Sequence, residues 1–73
     1  MNHIELKQAR HALGLTQREM AAMLDSDPLS IRRMEMAPDK KSHRDLPPRA
    51  ARLIEAYLNG WRPKDWPQEQ KEN

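Results

Sequence analysis

The residues best equipped for recognition chemistry lie in one short stretch, Asp27-Pro28-Leu29-Ser30-Ile31-Arg32-Arg33-Met34-Glu35. An arginine guanidinium can donate to O6 and N7 of one guanine at the same time, a contact worth ~1–3 kcal/mol of discrimination against the wrong base. An exposed leucine can pack on a thymine methyl. Helical spacing turns Ile31 and Met34 toward a core, which leaves Pro28, Leu29, Arg32 and Arg33 facing outward, with Ser30 nearby. Between Arg32 and Arg44 stand five basic residues (Arg32, Arg33, Lys40, Lys41, Arg44) against two acidic ones (Glu35, Asp39), within a chain whose net charge is only +2. Positive charge gathered in one segment suits a phosphate backbone, although it also describes a plain solvated face.

Other chemistries find little support. The chain has no cysteine, and His3, His11 and His43 show no ligand spacing, so neither a metal nor a cofactor is expected. No nucleophile–base pair is visible, and an enzyme is not expected. No apolar run approaches the ~20 residues of a membrane span. The opening Met-Asn-His-Ile-Glu lacks the basic and apolar regions of a signal peptide, so a cytoplasmic location is the expectation.

The elements that must position these residues read as helices. With 73 residues the chain is expected to form one domain over 1–67, followed by a polar, frayed tail over 68–73. Its apolar residues are mostly Leu, Ile, Met and Ala, and Tyr57, Trp61 and Trp66 all come late. Helix one is predicted from about His3 to Leu13, capped by Asn2 with Glu5 completing a capping box and ended by Gly14. Helix two follows Thr16, which forms a second box with Glu19 and buries Met20, Ala21 and Leu24. Asp27 caps helix three, about Pro28 to Met36, with proline at its favoured first position. Residues 37–46 read as a loop. Helix four begins at Pro47-Pro48, presents Ala50, Leu53, Ile54, Tyr57 and Leu58 on one face, and ends at Asn59-Gly60.

Two short helices around a sharp reversal at Asp25 suggest a helix-turn-helix from residue 16 to 36. Aspartate tolerates the left-handed conformation such a turn needs better than most residues. At this point the chain resembles the Xre/Cro/CI-type repressor family. The resemblance begins at Leu6-Lys7-Gln8-Ala9-Arg10 and runs through Leu13-Gly14-Leu15-Thr16-Gln17-Arg18-Glu19-Met20-Ala21. It continues through Leu24, Ser30-Ile31 and Arg33-Met34-Glu35. It covers residues 4–36 well and 37–58 loosely. The chain departs from the pattern at the turn glycine (Asp25), at the apolar residue after it (Ser26), and at the Asn-Gly following helix three (Met36-Ala37).

The resemblance implies an all-α, compact four- to five-helix bundle of the lambda-repressor-like kind. It implies a sequence-specific regulator of transcription that sets its third helix in the major groove, with Pro28, Leu29, Ser30, Arg32 and Arg33 toward the bases. Thr16, Gln17, Arg18, Lys40, Lys41 and Arg44 would contact phosphates. Gln17 has the family's phosphate-bonding position, and Arg10 and Glu35 have the positions of an ion pair that holds the recognition helix. Such proteins bind paired half-sites as dimers, so a pseudopalindromic operator and a homodimer are expected, in a bacterial or phage-infected cell. Tyr57, Leu58, Trp61 and Trp66 are the candidate dimer interface. Repression by occupying a promoter needs no small-molecule ligand. The competing reading is an antitoxin-like module that neutralises a partner protein and binds DNA secondarily. A disordered extension would favour it, and only six residues follow Pro67.

Overall fold

A computed structural model describes residues 1–67 of the chain, so the tail expected over 68–73 lies outside the described residues. Among the described residues four helices follow one another: α1 (His3–Ala12), α2 (Gln17–Met23), α3 (Pro28–Met34) and α4 (Pro48–Leu58). No strand occurs among the described residues, and the domain is small, compact and all-α.

Local chemistry starts each of the first three helices. The Asn2 side chain accepts from the Glu5 amide at 2.8 Å while the Asn2 amide donates to Glu5 Oε1 at 2.9 Å. Thr16 and Glu19 repeat this arrangement at α2, both bonds being 3.0 Å. Asp27 Oδ1 accepts from the Ser30 amide at 2.8 Å ahead of Pro28. Each bond satisfies an amide that the first helical turn leaves unpaired. Pro47 precedes α4 without a side-chain cap, and there Pro48 itself removes one orphan donor.

Three helices end in the same way. Gly14 (φ 70°), Asp25 (φ 53°) and Gly60 (φ 105°) adopt left-handed backbone. Behind them the amides of Leu15, Ser26 and Trp61 donate to the carbonyls of Arg10, Ala21 and Ala56 at 3.1, 2.8 and 3.1 Å. These are Schellman closures, which satisfy the last carbonyls of a helix and reverse the chain. α3 differs, because it is followed by Met36-Ala37 rather than a left-handed residue, and its Arg33 carbonyl accepts both the Met36 amide at 3.3 Å and the Arg44 amide at 3.2 Å. It is also shorter than the sequence suggests, stopping at Met34 instead of Met36.

Leu6, Ala9 and Leu13 of α1, Met20, Ala21 and Met23 of α2, Ile31 and Met34 of α3, and Ile54 and Tyr57 of α4 share one core with Leu15 and Trp66. α2 packs chiefly on α3, and α1 rests against α4. Ala21 is small where the two short helices come together. Leu46, Leu24 and Leu53 close the edges of this core. The Tyr57 hydroxyl donates to the Met23 carbonyl at 3.2 Å, which ties α4 to the open end of α2. Burial, above all, pushes the Tyr57 phenol above its ordinary pKa, so it remains a donor.

Two aromatic residues expected at an interface belong to this core. Tyr57 is 2% exposed and Trp66 1% exposed. The Trp66 ring meets Tyr57 edge-on at 4.9 Å and is covered by the Arg62 guanidinium 4.4 Å from its centroid. A core this poor in aromatics needs the tryptophan's area, and the Pro63–Pro67 turn folds it back under α4. Leu58, which the helical period of α4 places on the apolar face, instead lies exposed at the end of that helix. Trp61, stacked flat on Tyr57 at 5.7 Å, is half exposed.

Candidate nucleic-acid interface

α3 is held from its inner side. Ile31 and Met34 are buried against α2. At its C-terminal end Glu35 meets Arg10 of α1 in a two-point bond, Arg10 Nε donating to Oε2 at 2.6 Å and Nη2 to Oε1 at 3.1 Å. Both side chains are nearly buried. Arg10 Nη1 also donates to the Leu15 carbonyl at 3.0 Å. Gln17 Nε2 donates to Glu35 Oε1 at 3.2 Å. A buried charge pair is tolerable only when its remaining donors and acceptors are met, and here Leu15 and Gln17 meet them. Gln17, expected to bond a phosphate, thus has one side-chain N–H on Glu35. The Arg10–Glu35 pair itself forms as the sequence suggests.

The outer side of α3 carries Pro28, Leu29 and Arg32, all exposed. Leu29 is 51% exposed and stands three residues before Arg32, so an apolar and a guanidinium side chain occupy neighbouring turns of one face. Arg33 is half-buried on the flank. Ser30 departs from expectation. Only 6% exposed, it donates from Oγ to Asp27 Oδ2 at 3.0 Å and accepts from Arg44 Nη1 at 3.2 Å, so its hydroxyl is committed inside the protein. The bonds from Ser30 lower the Asp27 pKa first, and the nearby charge of Arg44 adds to the effect.

The segment 37–46 forms no regular element, yet it is attached to α3. The Arg44 amide donates to the Arg33 carbonyl at 3.2 Å. His43 Nδ1 lies 2.8 Å from the Met36 carbonyl oxygen, and its Nε2 lies 2.8 Å from Asp45 Oδ1. Lys40, Lys41 and Arg44 are exposed and are thus carried on a segment docked at the end of α3. On α2, Arg18 is exposed and Thr16 is spent on its cap.

Two further basic residues were not singled out by the sequence pattern. Arg49 and Arg52 of α4 line an open cleft of about 660 Å³ together with Leu24, Asp25, Pro47 and Leu53. Arg-x-x-Arg directly after Pro47-Pro48, at the first turn of a helix, was the available signal. Among the described residues no group of three or more His, Asp or Glu side chains could hold a metal, and no helix is long and apolar enough to cross a membrane. Comparison with family models, with curated proteins and with solved structures returns no match.

Proposed function

We propose that α2, the Asp25 turn and α3 form a helix-turn-helix within a lambda-repressor-like bundle, and that the protein is a sequence-specific regulator of transcription acting on duplex DNA. The observation that carries this reading is the asymmetry of α3. Its inner side is fixed by the core and by the Arg10–Glu35–Gln17 bonds, while its outer side offers Leu29 and Arg32. A helix ~10–12 Å across fits the major groove. In that groove Arg32 takes a guanine and Leu29 a thymine methyl, with Pro28 at the leading end and Arg33 at the edge. Arg18, Lys40, Lys41 and Arg44 bind the backbone, setting affinity and register without carrying sequence information.

One recognition helix reads few base pairs, so the protein acts as a twofold dimer on half-sites ~34–36 Å apart. With Tyr57 and Trp66 in the core, Leu58 and Trp61 are the exposed apolar residues left from the expected set, and they form the contact between copies. Occupancy of a promoter by this dimer represses transcription.

The test is binding of a labelled duplex carrying the preferred site, followed by fluorescence anisotropy. Arg32→Ala should cost ~1–3 kcal/mol and relax the preference at one base pair. Arg32→Ala and Arg33→Ala variants that both fold and bind as tightly as the parent would refute the placement of α3. Sedimentation equilibrium tests the dimer, and Trp61→Ala should weaken the association.

A further inference from the structure

His43 has an oxygen acceptor at each ring nitrogen, the Met36 carbonyl at Nδ1 and the Asp45 carboxylate at Nε2, both at 2.8 Å. Neutral imidazole has a single N–H, so it can donate to only one of them and must turn a lone pair toward the other oxygen. Imidazolium donates to both. Both contacts can be hydrogen bonds at once only when the ring is charged.

The bond to Met36 matters because of how α3 ends. The other three helices close on a left-handed residue, whereas α3 runs into Met36-Ala37. The returning segment reaches two carbonyls there: Arg33, which also accepts from the Met36 amide at 3.3 Å, takes the Arg44 amide, and Met36, just past the helix end, faces the His43 ring. The imidazole thus fastens the segment that carries Lys40, Lys41 and Arg44 to the C-terminal end of α3, where a cation is also favoured by the helix dipole.

We propose that His43 is a proton-operated latch on this basic segment. Protonated, it bridges Met36 to Asp45 and holds Lys40–Arg44 against α3; neutral, its single N–H is shared between the two acceptors, and when Asp45 takes it only the Arg44 bonds to Arg33 and Ser30 hold the segment. On the reading of α3 as a DNA-recognition helix, the latch makes backbone binding by the segment pH-dependent, tighter in acid and looser in base.

The surrounding charges agree in direction. Asp45 faces His43 from its own segment, and the carbonyls of Arg33 and Met36 face it from the end of α3; all favour the cation. From the α1 side, Met1 and His3 line a cavity of about 310 Å³ together with His43, and positive charge on either opposes it. Burial also opposes it. The bond to Asp45 is the largest influence, and the pKa of His43 is raised above its ordinary value. For a raised histidine pKa the stabilisation is complete below the unfolded value, ~6.5, and is lost as pH rises through the folded value.

The test uses the full chain and three readouts. Ring ¹⁵N–¹H correlation spectra across a pH series should show His43 still protonated at both nitrogens above the ordinary histidine value of ~6.5. Asp45→Asn, at a side chain 97% exposed, should bring the His43 midpoint down toward ~6.5. Affinity for random-sequence duplex DNA at fixed salt should then fall several-fold as pH rises through that midpoint. The salt slope should become shallower by ~0.9 for each phosphate that the freed segment no longer neutralises, and His43→Gln should lack this component. A His43 midpoint at or below ~6.5 overturns the latch, as does the same pH dependence of affinity in the parent and His43→Gln. If the chain binds no duplex at any pH, the DNA reading fails by itself. Amide protection factors over Lys40–Arg44, referred to the intrinsic exchange rate at each pH, then decide the latch: protection that falls above the midpoint in the parent but not in His43→Gln supports it, and protection independent of pH refutes it.

Discussion

Arg10 and Glu35, 25 positions apart in the chain, meet side-on through two hydrogen bonds of 2.6 and 3.1 Å, with side chains only 11% and 5% exposed. This pair joins the first helix to the end of the third. Removing either member strands a buried charge, so Arg10→Ala or Glu35→Ala should each cost ~3–5 kcal/mol in urea unfolding. Replacing both with apolar residues of similar size should cost less than either single change, since no charge is then left unpaired. A double variant as unstable as the sum of the singles would mean that the two residues act separately.

The two tryptophans should behave oppositely. Trp66→Ala removes a buried ring and should cost ~3–5 kcal/mol, a large share of the stability of a domain that holds ~0.05–0.15 kcal/mol per residue. Trp61→Ala, at a side chain 51% exposed, should leave the unfolding midpoint nearly unchanged and lower self-association instead. Thermal melts and sedimentation on both variants separate these roles.

Much of this architecture is legible in the sequence, and the reasons are local. Asn2 with Glu5, Thr16 with Glu19, and Asp27 before Pro28 announce three helix starts, because a cap is written within four consecutive residues. Gly14, Asp25 and Gly60 announce three ends for the same reason. What escapes the sequence depends on distant contacts. Trp66 could equally have covered the core or faced outward, and only the fold of Pro63–Pro67 beneath α4 decides it. Ser30 carries the polarity of a base-reading residue, but Arg44 and Asp27 claim its hydroxyl. Gln17 looks like a free amide until Glu35 is brought beside it. The docking of segment 37–46 on α3 is likewise invisible, since it rests on one backbone amide, one guanidinium and one imidazole.

Asp25 occupies left-handed backbone at φ 53°, where a side chain costs up to ~1–2 kcal/mol in the least tolerant residues. Asp25→Gly should therefore raise stability modestly, and Asp25→Ala should lower it, as read from denaturant midpoints. The opposite order would show that the Asp25 side chain makes an interaction worth more than the strain.

The lowered pKa of Asp27 predicts acid sensitivity. A depressed carboxyl stabilises the fold above its unfolded pKa, and that contribution is lost as pH falls through the lower folded value. Stability followed from neutral pH downward should decline more steeply in the parent than in Asp27→Asn, which keeps a capping oxygen without the charge. Parallel curves would show that the Asp27 charge adds nothing to the cap.

The central claim is that the outer face of α3 reads duplex DNA, and selection of bound sequences from a random duplex pool tests it most directly. The expected result is enrichment of a pseudopalindrome whose half-sites lie about one helical turn apart, with one base-pair preference relaxed in Arg32→Ala. A pool that stays random through successive rounds at low salt would contradict it.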